Sequence, residues 1–338
     1  MAGMDIKIKR RLAVLATAMC YAGWALMLFA PHRASLCSIK ILFAVAGPLA
    51  AMGVFLLSRR WLSGWMPSAA AGLVYGFGPF GASFLGFHPV AGLTFAAAPW
   101  LLLPSVYWNG GLPPGAGRLA VRAALCGLPF LFIIGFFWVF SLHWIGPLFL
   151  LPENTQLNIR DFGGLVLPLS MTGRPAVLGI YHGGIIAAMM GILVYLSARR
   201  VLVLAVPAAG LILAFLDPIF GVSPIIWAAL PMAFLAILAG LGLQALLLAG
   251  KSDAKWVLTC LIGGILCALV GWAMYLPHRA DVYFAPAVLY TAAVAVLAAL
   301  FAMSRLGIRA IALRWIILAS LIAVDCYISG RWLIDQTL

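Results

Sequence analysis

Apolar residues run in blocks of roughly 16–26, matching the ~17–25 residues a helix needs to cross about 30 Å of hydrocarbon. The blocks fall at 12–30, 41–58, 66–86, 89–107, 119–140, 175–197, 201–216, 224–249, 256–276, 283–303 and 312–330. Short polar, Pro- or Gly-containing connections separate them. The pattern predicts an all-α fold, a polytopic transmembrane bundle of about 11 helices. The 201–216 block is short, and Gly and Pro interrupt the 66–107 pair. The first block is read as a retained span rather than a cleaved leader, because its apolar run is long and no small-x-small site precedes a polar segment. The longest polar connection, 141–174, stays apolar from Phe162 to Leu169 and reads as a re-entrant or interface-lying segment. With no internal repeat or linker, residues 1–338 are expected to form a single integral membrane domain.

Composition removes the soluble alternative. Of 338 residues 65% are hydrophobic and only 9% charged, with a mean hydropathy of +1.14. Ordinary globular domains are about 45–50% apolar and about 25% charged. The net charge of +13 would suggest nucleic acid in a soluble protein. Here the loop-by-loop distribution assigns it to membrane insertion, and no nucleic-acid partner is expected. Lys7, Lys9, Arg10 and Arg11, Arg59 and Arg60, Arg118 and Arg122, Arg199 and Arg200, Lys251 and Lys255, and Arg305, Arg309 and Arg314 flank alternate connections. They are fifteen of the 21 basic residues. The alternation predicts a cytoplasmic N-terminus and an extracytoplasmic C-terminus, with the bacterial cytoplasmic (inner) membrane as location.

The remaining polar chemistry collects on the predicted outer face. His32, His88, His143, His182 and His278 all fall at outer helix ends or loops, together with Glu153, Asp161, Asp217 and Asp281, and Asp325 lies in the outer half of the last block. Ionisable groups at such depth mark functional sites more often than chance. Asp217-Pro218 is a turn former or a base, and Glu153 is the second candidate carboxylate. Arg174-Pro175 either snorkels to the interface or holds a lipid phosphate bidentately. His88-Pro89 is either a turn or a second phosphate contact. His143 and His182 could pair on a haem or metal only if they faced each other at one depth. Arg160-Asp161 reads as an exposed pair. Gly76-Phe77-Gly78-Pro79-Phe80-Gly81 either kinks the third span or frees backbone groups to line a wet cavity.

The six cysteines are scattered without a CxxC pair, and packing is their default role. GxxxxGK[ST], HExxH, GxSxG and CxxCH motifs are absent, which leaves ATPase, zincin, hydrolase and c-haem readings unsupported. Tryptophans such as Trp61, Trp65, Trp108, Trp144 and Trp332 sit near span ends, as aromatic belts do. No cofactor is expected; bound lipids are.

Two stretches carry a family likeness. The first is Phe55-Leu56-Leu57-Ser58-Arg59-Arg60, then Ala70-Ala71-Gly72-Leu73-Val74-Tyr75-Gly76-Phe77, His88-Pro89 and Pro99-Trp100-Leu101. The second is Tyr181-His182-Gly183-Gly184 with the helix to Arg200, then Pro224, Pro231 and Ala236-Ile237-Leu238-Ala239-Gly240-Leu241-Gly242-Leu243. Over about 45–250 they resemble the GT-C-type multi-pass membrane glycosyltransferases, particularly the YfhO-like group, with additional C-terminal helices over 256–330. The resemblance implies sugar transfer from a polyprenyl-phosphate donor on the extracytoplasmic face, using a carboxylate near the first outer loop. That loop here, Pro31-His32-Arg33-Ala34-Ser35-Leu36-Cys37-Ser38, has no Asp or Glu. The likeness is thus to a truncated member without the acidic motif, the large catalytic first loop or a soluble C-terminal domain.

The leading expectation is a non-catalytic structural or accessory subunit of a larger membrane complex, with membrane-protein partners and small residues such as Gly183, Gly184, Gly240 and Gly242 allowing close helix approach. The alternatives are an active lipid-linked-sugar glycosyltransferase using Asp217 or Glu153 as base, and a lipid or small-solute transporter suggested by the broken third span.

Overall fold

A computed structural model of the chain describes residues 6–33, 41–85, 91–108, 116–143, 156–171, 177–197, 204–219, 221–308 and 310–337. The described residues are almost wholly helical. The helices are α1 (Ile6–Phe29), α2 (Leu42–Ser58), α3 (Trp65–Gly76), α4 (Pro79–Leu85), α5 (Ala91–Tyr107), α6 (Ala116–Cys126) and α7 (Leu128–His143). They continue with α8 (His182–Ser197), α9 (Ala205–Phe215), α10 (Ala229–Leu248), α11 (Ala254–His278), α12 (Asp281–Leu306) and α13 (Ile311–Thr337). Among the described residues, six stretches are long and apolar enough to cross a membrane: Arg11–His32, Ala116–Val139, Pro224–Leu248, Ala254–His278, Asp281–Leu306 and Ile311–Gln336. Four shorter apolar helices accompany them, Ala44–Ser58, Gly92–Tyr107, His182–Leu196 and Ala205–Phe215. The chain is therefore an all-α, multi-pass membrane type of structure.

Helix α10 is the axis of the bundle. Of an 18-residue window in Pro224–Leu248 78% is buried, against 11% of one in Ala116–Val139, so α10 is central and α6–α7 peripheral. Its closest neighbour is α8. A Cβ added to Gly242 would land on the Ala187 carbonyl oxygen, and one added to Gly191 would land on that of Leu238. The two backbones touch through these glycines, the close approach that lets dispersion act between helices already surrounded by apolar matter. Around this crossing pack Trp227, Tyr290, Phe55, Phe80, Phe95 and Phe137, all nearly or fully buried.

Three predicted spans differ in detail. The 175–197 span becomes helical only at His182. Residues 177–181 enter as buried non-helical chain, since Gly179 sits at φ +140°, outside the right-handed helical region. The segment is satisfied by protein: Val177 N donates to Ser83 Oγ (2.8 Å) and Gly179 N to Met232 Sδ (3.3 Å), as irregular backbone at membrane depth requires. The 119–140 span is two helices parted at Gly127, whose N–H bonds the Ala123 and Ala124 carbonyls. The break between α3 and α4 at Phe77-Gly78 is sealed rather than open. Its residues are buried, Tyr75 stacks on Phe95 at 4.4 Å, and the Tyr75 hydroxyl donates to the Phe95 carbonyl (3.1 Å).

Polar contacts define two ends of the bundle. At one, Gln244 near the end of α10 accepts from Gly64 N (3.1 Å) and donates to Ser63 Oγ (3.0 Å) in the turn before α3. Arg314, counted in sequence as a loop-flanking charge, is instead buried there in the first turn of α13. Its guanidinium donates to the Ala249 (2.6 Å), Leu247 (3.3 Å) and Ile308 (3.0 Å) carbonyls and to Ser304 Oγ (3.3 Å). A buried arginine so placed satisfies the last carbonyls of α10, at the negative end of that helix dipole, and ties them to Ser304 and to the turn that follows α12. At the other end, residues 156–171 form two 3-10 turns, Ile159–Leu165 and Pro168–Met171. They lie over the bundle: Leu157 N donates to Ala214 O (3.0 Å) and the Tyr290 hydroxyl to Val166 O (2.7 Å).

The crossing of α8 and α10 gives a direct expectation. Gly242→Val forces the backbones apart and lowers unfolding stability in detergent by about 1–3 kcal/mol or more. Gly23→Ala, where a Cβ meets nothing within 4 Å, leaves it unchanged; equal loss in both variants contradicts the close crossing.

Candidate functional site

The strongest concentration of buried polar chemistry lies where the N-terminus of α8 meets the second half of α13. His182, the first residue of α8, is fully buried, and Asp325 is 1% exposed. His182 Nδ1 lies 2.8 Å from Asp325 Oδ1. The same oxygen accepts from Ser329 Oγ, one helical turn further along α13 (3.2 Å), and Oδ2 accepts from Gly183 N (2.5 Å). Tyr290 of α12 packs its ring edge-on to the imidazole at 4.8 Å.

Each placement has a local reason. The first N–H groups of a helix have no intrahelical acceptor. In apolar surroundings they must find one, and the Asp325 carboxylate supplies it from a different helix. Its oxygens also sit at the positive end of the α8 dipole. Three groups converge on the carboxylate, His182 Nδ1, Gly183 N and Ser329 Oγ. His182 meets it through Nδ1, and its other ring nitrogen is Nε2. Nε2 is buried without a hydrogen-bond partner, as is the neighbouring Tyr181 hydroxyl.

A carboxylate holding an imidazole by Nδ1 is the orienting half of a nucleophile–base–acid array. The other half is missing among the described residues. No hydroxyl or thiol bonds Nε2, and Ser329 is turned onto Asp325 itself. Among the described residues no group of three or more His, Cys, Asp or Glu gathers as a metal could require. The arrangement can fix two helices to each other and orient an imidazole; it presents no reactive group to solvent.

Other sequence-singled residues are placed elsewhere. Asp217 is exposed, and its Oδ1 accepts from Gln156 Nε2 (2.7 Å), tying the 156–171 segment to the turn after α9. Asp161, read as half of an exposed Arg160-Asp161 pair, is buried and turns inward: its Oδ2 accepts from Asn158 N (2.7 Å), closing a capping box on the first 3-10 turn. Arg160 is exposed. Glu153, Arg174 and His88 lie outside the described residues, as do the side chain of His143 and residues 34–40 of the first outer loop. The haem or metal pairing of His143 with His182 therefore has no geometry to judge, but His182 has Asp325 on Nδ1.

Sequence reading noted Asp325 without finding its partner. The available signal was physical: an aspartate inside an apolar helix needs a counter-group at the same depth. It also missed the cluster at the helix ends nearby, where Asp335 Oδ1 lies 2.6 Å from His32 Nε2 and 3.0 Å from Arg331 Nε. There Arg331 also donates to the Leu28 carbonyl (3.0 Å), so α13 clamps the end of α1.

No family model matches the chain, and no curated protein or solved structure matches it either.

Breaking a buried pair by removing one partner costs about 3–5 kcal/mol. His182→Ala and Asp325→Ala are each expected to destabilise by about that much. The double variant is expected to lose less than the two together by more than about 1 kcal/mol, read from unfolding in a double-mutant cycle. Additive losses would remove the coupling.

Proposed function

We propose that this chain crosses the bacterial cytoplasmic membrane eleven times, N-terminus inside and C-terminus outside, as a non-catalytic structural or accessory subunit of a larger membrane complex, derived from the GT-C-type, YfhO-like glycosyltransferases. The orientation rests on the bias of Lys and Arg to alternate connections. The family derivation rests on the two quoted sequence stretches.

One observation carries the non-catalytic reading: four of the six described carboxylates serve the fold, the exposed Asp217 and Asp281 being the others. Asp325 holds His182, Gly183 and Ser329. Asp335 holds His32 and Arg331, and Asp161 caps a turn. Asp253 accepts from Gly250 N (2.9 Å) in the turn before α11. Apolar side chains are turned outward: Leu119 on α6 and Leu131 on α7 are 60% and 67% exposed, an amount that water would not tolerate in a contiguous patch but lipid or another subunit does.

Asp217 supports a second reading, the active lipid-linked-sugar glycosyltransferase. It is the described candidate carboxylate that is exposed, with a single amide partner, and could accept a proton from an acceptor hydroxyl.

Two measurements separate the readings. Purified in mild detergent, the protein is expected to run with a stoichiometric membrane-protein partner; migration as a lone chain counts against the subunit role. Asp217→Asn and Glu153→Gln are expected to leave assembly and cellular phenotype unchanged. Loss of sugar transfer from a polyprenyl-phosphate donor in either variant would establish the enzyme instead. Topology is checked independently: a cysteine placed in the Lys251–Asp253 turn should resist an impermeant maleimide in intact cells, and one at Asp217 should react.

A further inference from the structure

The geometry points to a seat for one acyl chain of an anionic phospholipid in the crevice between α1 and α13, with the lipid phosphate at the basic end of the bundle. The inference rests on the helices crossing a bilayer and not on the subunit role.

The crevice has a volume of about 190 Å³ and is walled by four helices. Cys20, Tyr21 and Trp24 of α1 form one side. Trp315, Leu318, Ala319 and Ile322 of α13 form the other. Its floor is Met66, Ala69, Ala70 and Leu73 of α3 with Leu243 and Leu247 of α10. Polar side-chain groups on these walls are few: the Tyr21 hydroxyl donates to the Ala69 carbonyl (2.7 Å), leaving the Trp24 and Trp315 N–H groups and the Cys20 thiol. An apolar occupant is required. The exposed Cys20, Met66 and Ala319 bring the rim to the surface of the bundle.

The shape selects a chain over a helix. Towards one end the slot is shut, because α1 and α13 are joined there by Arg331 to the Leu28 carbonyl, by His32 to Asp335, and by the edge contact of Trp24 on Tyr327. From its shut end at Ile322 the crevice runs along α13 to Trp315, about 10 Å at 1.5 Å per residue. A partner helix about 10–12 Å across needs a groove open along its length. A flexible hydrocarbon chain enters a slot closed at one end.

Charge selects the headgroup. The open end lies beside Met66 and Leu247, next to the turn where Gln244 holds Ser63 and Gly64. Arg59 stands in that turn, its guanidinium 5.2 Å over the Trp65 ring and one nitrogen on the Ser63 carbonyl (3.0 Å), with further N–H donors left over. Trp65 in turn donates to Thr17 of α1 (2.9 Å). Arg11, two turns before Thr17, is exposed, as is Arg60. Asp253 is the described carboxylate at this end, and it is engaged by Gly250 N. Basic groups beside an apolar slot on one side of a membrane bind lipid phosphates.

The full-length protein, purified in detergent and mixed with equimolar phosphatidylglycerol and phosphatidylcholine, is examined by native mass spectrometry. Wild type is expected to retain one phosphatidylglycerol in preference to phosphatidylcholine. Ala319→Phe and Ala70→Leu, which fill the slot from opposite walls, are expected to lose it. Arg59→Gln, which removes the charge and its contacts to Trp65 and Ser63 but none of the slot's lining residues, is expected to lower the preference about fivefold, the value of one basic group near an anionic surface. Equal retention of the two lipids overturns the proposal. So does retention unchanged by both slot-filling variants, or an Arg59→Gln protein that keeps the full preference. A partner polypeptide that occupies the slot in place of lipid, seen as protection of Cys20 only in its presence, overturns it too. None of these outcomes depends on whether a stoichiometric subunit partner exists.

Discussion

Inside an apolar medium a buried charge and an uncapped helix end are both costly, and the architecture of this protein answers each with the other. Helix α13 carries the two buried charges that do so. Arg314 in its first turn meets the final carbonyls of α10, the Ser304 hydroxyl of α12 and the Ile308 carbonyl in the turn beyond it. Asp325, eleven residues or about 16 Å along the same helix, meets the first free amide of α8. The placement suits the helix dipoles, a guanidinium at the C-terminus of α10 and a carboxyl group at the N-terminus of α8. Two polar side chains thus replace the water that would otherwise satisfy those backbone groups, and α13 becomes a strut connecting three helices at two depths.

The strut matters because the rest of the core has little directional chemistry. The crossing of α8 and α10 is held by close packing of Gly191 and Gly242 against opposing carbonyls. Such packing sets distance but not register along the helix axes. Asp325 sets register for α8, since its carboxylate reaches only His182 and Gly183. Arg314 sets it for α10 by reaching Leu247 and Ala249. With α8 and α10 both fixed to α13, the glycine contact falls where the backbones can meet. His182 takes its orientation from this same frame, which explains an oriented imidazole in a position with no access to solvent.

Much of the fold was legible in the hydrophobic pattern, because burial in lipid is nearly a one-body property: a long apolar run needs no knowledge of its neighbours. The features that escaped depend on partners far away in the chain. The helix at 175–197 starts late because Gly179 and its acceptors Ser83 and Met232 shape the entry, and nothing between 175 and 182 announces Ser83. Arg314 looked like an ordinary flanking charge, since sequence proximity to Arg305 and Arg309 resembles a cytoplasmic loop. Only the carbonyls of Ala249 and Ile308 reveal it as a cap. The pair of His182 and Asp325 spans 143 residues, and its two members were each visible as oddities without any signal linking them. The Gly76–Gly81 break was seen correctly as a break, yet whether it opens or seals is decided by Phe95, which stacks on Tyr75 from another helix.

Scarcity of charge then acquires a mechanistic meaning. A membrane enzyme handling phosphate and sugar needs carboxylates whose oxygens remain available in a cavity reached by substrate. In this bundle Asp161, Asp253, Asp325 and Asp335 have oxygens engaged in holding turns and helix ends. Removing any of them to serve a substrate would release the element it holds. The exposed Asp217 and Asp281 are the exceptions, and for Asp217 the amide partner Gln156 makes it a tie between two surface segments. A chain with only 8 acidic residues engages four of the six described ones in its own backbone and side chains. On that ground we propose the structural role ahead of the enzymatic one.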